Sequence, residues 1–369
     1  MTLATLTLQN FRSYKKTTFS FSPLITVFLG PNTSGKTNLL EAVYLLAVGK
    51  SFRADKDSEV IRWESEIARI KSKITPPKTY TRGASALGGD QPLAENLKDQ
   101  IELEIMLTGG EAGGQKAPLK RFLVNSVIKR PNDFIGKFKA VLFWPEDLEL
   151  VIGPPTLKRR YLDFVLVQVD FEYRRSLTSY EKGIRQRNKV LEFIREGQAS
   201  RTQLFFWDQL LIKDGNYLTR RREKFIAGIN ASAKPFGQYR LYYNLSLISE
   251  ERLKQYAQAE VASATTLVGP HRDDFQFFEH NRDLATFGSR GEQRLAILWL
   301  KLAELDYIEK ISGERPVLLL DDIFSELDHE HREEVFRVMS KQQTILTTTD
   351  RHFLPEGLVN NAQMIELRK

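Results

Sequence analysis

The chain has 369 residues, enough for two or three domains and a sizeable core. Hydrophobic residues make up 41% and charged residues 27%, a balance that argues against a largely disordered chain. The absence of cysteine excludes disulfides and cysteine-held metals, and the formal charge of +7 favours a polyanionic partner such as nucleic acid.

No apolar run reaches the length of a bilayer-spanning helix, and the first residues lack a signal-peptide pattern. A cytoplasmic protein with no membrane partner is therefore expected. Thr2 to Leu8 turns to alternation in its second half and is followed by a turn at Asn10 to Tyr14. Leu24 to Leu29 is a short apolar run suited to a buried strand, and Asn38 to Val48 carries apolar residues at helical spacing. Pro76 to Pro92, rich in Pro, Gly, Ser and Thr, predicts a surface loop. Alternation at Ile101, Leu103, Ile105 and Leu107, then a hairpin around Asn125-Ser126, predict an antiparallel sheet inserted after the first helix.

From Leu157 the period changes. Tyr161, Phe164, Val165, Tyr173, Leu177, Tyr180 and Ile184 recur at three- and four-residue spacing among many Arg and Lys. A second helical stretch covers about Thr202 to Ala233, and Tyr239 to Leu247 alternates as a strand. These predict a small, mainly helical arm over residues 156–261. Residues 1–155 with 262–369 would form the other domain, in which strands and helices mix.

Between the apolar run and the first helix lies Gly30-Pro31-Asn32-Thr33-Ser34-Gly35-Lys36-Thr37, a G-x-x-x-x-G-K-T phosphate-binding loop. Strand, glycine-bearing loop and helix suit that chemistry. Backbone N–H groups surround phosphates, the helix N-terminus adds partial positive charge, Lys36 reaches the outer phosphates and Thr37 holds Mg²⁺. Val317-Leu318-Leu319-Leu320-Asp321-Asp322 reads as a buried parallel strand that delivers two carboxylates. Asp321 is the expected Mg²⁺ ligand and Asp322 the expected base for an attacking water; the competing reading is a strand ending in a solvated turn. Ser289-Arg290-Gly291-Glu292-Gln293-Arg294 opens a further helix with Ser289 as N-cap. It is either a capped helix alone or a second phosphate-facing surface. Ser325-Glu326-Leu327-Asp328 follows the acidic pair.

The order of these four motifs resembles the split ATPase heads of the ABC and SMC superfamily. Within it the chain is similar to the RecF family. The similarity is carried by Leu8 to Tyr14, Gly30 to Glu41, Pro145 to Leu148, Arg159 to Asp163, Gln186 to Asn188, Val268 to Asp274, Phe287 to Arg294 and Leu319 to Asp328. The resemblance implies an α/β fold: an ABC/SMC-type P-loop ATPase head with an antiparallel β subdomain and a mainly helical second domain. It implies ATP contacts from Gly30 through Asn38 and from Arg12, with Lys36 and Asp322 catalytic and Thr37 and Asp321 on Mg²⁺. It further implies that Ser289, Arg290, Gly291 and Gln293 act in trans on the nucleotide of a second copy, beside Ser325 and Asp328. The implied partners are DNA at single-strand/double-strand junctions, an ATP-dependent second copy, and RecR and RecO loading RecA at gaps.

Two departures bear on catalysis. Transporter ATPases place a histidine after the strand following their acids, where this chain has Thr347-Thr348-Thr349-Asp350. The second acid is Asp322 where many relatives use glutamate, so slow hydrolysis is expected; the resemblance implies a weak, DNA-stimulated ATPase. Asn125-Ser126 replaces a common Asn-Gly turn and carries little functional weight. Among the arm's basic residues, Arg159, Arg160, Arg185 and Arg187 are candidate DNA contacts; solvated helix faces explain most such clusters. His271 to Asp274 reads as a bracing turn, as a coupling element between DNA and ATP, or, less well, as a metal site with too few ligands. Rival functions are an ATPase head of a nuclease, which would add a metal-dependent domain after the head, a transporter ATPase subunit, and a small-molecule kinase. A chain closing at Lys369 is expected to leave no room for the nuclease domain.

Overall fold

The computed structural model describes residues 1–76, 100–325, 329–354 and 356–368. Most of the Pro76 to Pro92 loop, and Glu326 to Asp328, lie outside the described residues. The chain forms two compact units, Met1–Trp144 with Gly313–Lys369, and Pro145–Ser312. Compactness thus groups 262–312 with the helical stretch, whereas the motif order had placed it with the head.

In the first unit, five parallel strands form a sheet in the order Ala140–Phe143, Val317–Asp321, Thr344–Thr348, Ile25–Leu29, Gln363–Glu366. Three of these strands are buried along their whole length, which explains why they read as unbroken apolar or threonine-bearing runs rather than alternations. Helix Lys36–Val48 is buried at Lys36 and throughout Leu39–Val48, apolar there except at Glu41, so it has almost no solvent-facing side. The sheet order puts Thr344–Thr348 between the loop-bearing strand and the acid-bearing strand. Thr347 stands opposite Asp321 on one side and Phe28 on the other.

A second, antiparallel sheet has the order Tyr14–Ser20, Thr2–Phe11, Ile67–Thr75, Ile101–Thr108, Lys120–Val124, Val127–Lys129. It is not built wholly after the first helix, as the alternation had suggested. Its first two strands precede the phosphate loop; Tyr14–Ser20 pairs with Thr2–Phe11, which in turn pairs with Ile67–Thr75. Asn125 and Ser126 both adopt positive φ, 50° and 64°, the two-residue hairpin geometry that an Asn-Gly turn also serves. Trp63 is 88% exposed and was not singled out by sequence.

In the second unit, Pro155–Val169, Phe171–Arg195 and Phe205–Asn230 are helices, as the sequence reading had predicted, and Glu250–Ser263 is a helix that it had not named. Strand Tyr239–Asn244 pairs antiparallel with Asp274–Glu279, and the long helix Arg290–Ser312 closes the unit. Helices Phe171–Arg195 and Phe205–Asn230 approach closely at Gly183, where an added Cβ would lie 2.7 Å from Leu210. Trp299 is 1% exposed, a core residue. Among the described residues no helix is long and apolar enough to cross a membrane.

Candidate nucleotide-binding site

Strand Ile25–Leu29 ends at Gly30, where a Cβ would stand 2.7 Å from both the Leu367 carbonyl and Ser34 Oγ; no side chain fits. The loop exposes Pro31, Asn32 and Thr33, and Thr33 takes φ 71°. Gly35 enters the helix at φ 97°, a left-handed turn that glycine adopts without strain. The loop therefore runs directly into the N-terminus of Lys36–Val48, whose free N–H groups and dipole favour an anion. Lys36 Nζ donates to the carbonyls of Gly30 (2.6 Å) and Pro31 (2.9 Å). Burial lowers its pKa, and Asp322 and Asp321 oppose that shift.

The two acids stand where the sheet delivers them. Thr37 Oγ1 donates to Asp321 Oδ2 at 2.7 Å, joining residues 284 apart in sequence. Thr347 Oγ1 donates to Asp321 Oδ1 at 2.6 Å. Asp322 leaves the strand in the left-handed region, φ 52°. Its N–H donates to Thr347 O (3.1 Å) and Thr347 Oγ1 (3.2 Å). Burial raises the Asp322 pKa; the Thr349 backbone N–H and Lys36 hold it back, and Asp321 raises it further. Asp322 Oδ1 and Ser34 Oγ are buried and make no hydrogen bond. Ser325 Oγ donates to the Asp322 carbonyl at 2.7 Å; Asp328 lies outside the described residues.

These residues fit ATP and Mg²⁺. Two orphaned polar oxygens, a helix N-terminus and Lys36 frame the loop. Thr37 and Asp321 offer the hard oxygens that Mg²⁺ takes when it binds through one or two carboxylates and substrate phosphates.

Arg12, expected to meet ATP, is held by protein partners. Its guanidinium grips the fully buried Glu41 through Nε (2.9 Å) and Nη2 (2.7 Å), and Nη1 donates to the Glu59 carbonyl at 2.9 Å. The bidentate pair ties the end of the first strand to the helix that follows the loop. Asn38 Nδ2 donates to Ser13 Oγ (3.0 Å), and its Oδ1 accepts from Arg53 Nη1 (3.1 Å).

In the second unit Ser289 and Glu292 form a reciprocal cap. Glu292 N–H donates to Ser289 Oγ (3.3 Å), and Ser289 N–H donates to Glu292 Oε2 (2.7 Å). These bonds and the Arg282 partner bring the Glu292 pKa down to about 2. Ser289, Arg290 and Gly291 are exposed, and a Cβ at 291 would meet nothing nearer than Ser289 Oγ at 3.9 Å. Gln293 differs from the other three. It is buried, and Nε2 donates to the carbonyls of Leu284 (2.8 Å) and Gly288 (3.3 Å), so it braces the preceding turn.

The candidate DNA arginines divide. Arg185 is exposed. Arg159 Nη1 donates to the Asp273 carbonyl at 2.8 Å, and Arg160 lies 5.1 Å from the Phe164 ring centre. Arg187 must be withdrawn as a phosphate contact. It is 2% exposed, and its guanidinium is taken by Asp208 (2.7 Å), Glu260 (2.7 Å) and Thr266 (3.0 Å). Arg222 is likewise buried, against Asp163, Tyr173, Pro270 and Asp273.

The Gly269 to Asp274 segment is a brace. His271 Nε2 donates to the Thr266 carbonyl (3.0 Å), so Nδ1 accepts from Tyr180 Oη (2.9 Å). Both ring nitrogens are thereby used, and among the described residues no group of three or more potential ligands could hold a metal. Burial brings the His271 pKa down to about 4.

Comparison with known proteins places this geometry. The protein-family model described as "RecF/RecN/SMC N terminal domain" matches residues 2–365. The DNA replication and repair protein RecF of Herpetosiphon aurantiacus is 37% identical over 375 residues, covering 95% of this chain and 94% of that one. RecF of Shouchella clausii is 34% identical over 385 residues, covering 98% and 96%. The solved structure of the recombination mediator protein RecF with ATP, from the RecFOR pathway, superposes with a TM-score of 0.81 at 28% identity, covering 95% of this chain and 92% of that one.

Proposed function

The chain belongs to the RecF family, and from that premise we propose that it is an ATP-dependent DNA-binding protein of recombinational repair and replication restart. The observation that carries this reading is the Thr37–Asp321 hydrogen bond, which brings the end of the phosphate loop onto the acid strand. The names of the relatives, replication and repair proteins and a recombination mediator solved with ATP, supply the biological setting.

ATP lies along Gly30 to Thr37, its phosphates on the loop amides and on Lys36, which exchanges its two carbonyl partners for phosphate oxygens. Thr37 and Asp321 would hold Mg²⁺, which when bound would supply charge neutralisation at the phosphates. Asp322 orients the attacking water and accepts its proton; burial of Asp322 raises its basicity. Ser289, Arg290 and Gly291 of a second copy close over the nucleotide, while Gln293 holds the turn behind them. Closure clamps DNA, with the head formed by 1–155 and 262–369 and the arm by 156–261, where Arg185 is the exposed candidate contact. Hydrolysis releases it. Action with RecR and RecO to load RecA belongs to the same reading.

Fluorescence anisotropy of labelled duplex, single-stranded and gapped DNA tests this. ATP should tighten duplex and gapped DNA binding by about tenfold or more in the native chain and leave Lys36→Ala unchanged, a gap of at least ~1.4 kcal/mol. Equal binding with and without ATP would refute it.

A further inference from the structure

We propose that Thr347 is the positioning residue that sets both acids of the site, a reading that rests on the nucleotide assignment above. The hydroxyl has one proton, and the 2.6 Å contact assigns it to Asp321 Oδ1. Its lone pair then accepts the Asp322 N–H at 3.2 Å, shared with the Thr347 carbonyl at 3.1 Å. One fully buried side chain thus touches the carboxylate of the first acid and the backbone of the second.

The consequences differ for the two acids. Asp321 has one oxygen on Thr347 and the other on Thr37, so its carboxylate plane is fixed at both ends. Asp322 sits at φ 52°, a conformation costly for a residue with a Cβ, and the shared bond to Thr347 holds it there. Its carboxylate Oδ1 is buried and makes no hydrogen bond. Sheet order makes the Thr347 contacts possible, because Thr344–Thr348 lies between the strands that carry the loop and the acids. Threonine at this site is therefore more than a β-branched filler. A valine of the same shape would fill the space and lose the hydroxyl.

The test compares Thr347→Val and Thr347→Ser with the native chain. Binding of a fluorescent ATP analogue is measured with Mg²⁺ and with EDTA, together with single-turnover hydrolysis and thermal melting. Thr347→Val should weaken binding in Mg²⁺ by about tenfold, the loss of one charge-assisted hydrogen bond, while binding in EDTA changes less than about twofold. Hydrolysis should fall by about tenfold or more, and Thr347→Ser should restore both to within about threefold. Valine behaving as the native residue would overturn the proposal. So would equal impairment of Val and Ser, or equal weakening in Mg²⁺ and EDTA, since each marks packing rather than the hydroxyl. If valine prevents folding in the melt, the serine variant decides: native Mg²⁺ dependence supports the hydroxyl, and its loss contradicts it. Failure of the native chain to bind the analogue, with Lys36→Ala as control, would instead reject the nucleotide reading itself.

Discussion

Arg222 and Asp273 form a buried ion pair at 3.0 Å, both almost without solvent contact, that ties helix Phe205–Asn230 to the Gly269 to Asp274 segment. Asp163 at 2.8 Å, the Pro270 carbonyl at 2.7 Å and Tyr173 Oη at 2.9 Å also accept from the guanidinium. Arg222→Leu would leave the buried Asp273 and the half-buried Asp163 without this cation. It should destabilise the chain by about 3–5 kcal/mol, read as a shift in the urea midpoint. A change below about 1 kcal/mol would show that the pair does not hold this unit together.

The phosphate loop and the second acid should separate in their effects. Lys36→Ala is expected to lose ATP binding by more than about tenfold. Asp322→Asn should keep ATP binding and slow hydrolysis by about a hundredfold or more, because it removes the proton acceptor while preserving shape. Calorimetric titration and single-turnover assays read the two. An Asp322→Asn chain that hydrolyses at the native rate would remove Asp322 from the chemistry.

His271 gives the stability a pH dependence of defined sign. Folded His271 takes its proton only near pH 4, whereas the unfolded chain takes it near 6.5. Between those values the unfolded state binds more protons, so stability falls as pH falls. Glu304 works in the opposite direction. Its buried carboxyl keeps a proton up to about pH 7 against 4.5 when exposed, so its contribution is lost as pH rises through that range. The informative quantity is therefore a difference. Denaturation midpoints of the native chain should drop more steeply than those of His271→Gln as pH falls from 6.5 to about 4. Parallel curves would contradict the neutral, doubly hydrogen-bonded imidazole.

Local signals carried much of the fold and part of the site. Strand, glycine loop and helix at Ile25 to Val48 follow from residues within a few positions of one another, as does the Ser289–Glu292 cap. The buried strand Val317–Asp321 announced itself by its apolar run. What local reading missed depends on partners far along the chain. Thr347 acquires its role only because its strand lies between two others, and Arg12 finds Glu41 only once the first strand folds beside the helix. The burial of Arg187 and Arg222 did leave a trace. Arg187 shares a helical face with Tyr180, Gly183 and Leu191, and Arg222 with Leu218, Phe225 and Ile229. An arginine in an apolar stripe points inward and needs acids; theirs, Asp208, Glu260, Asp163 and Asp273, are distant in sequence.

The account turns on whether a second copy completes the nucleotide site, and sedimentation velocity of Gly291→Arg with ATP tests that most directly. Gly291 is exposed with open space around it, so the arginine should be accepted by the folded chain and block only an approaching partner. The predicted result is a native chain that sediments as a dimer with ATP, and a variant that binds ATP with native affinity yet remains a monomer. A variant that pairs as readily as the native chain would contradict it.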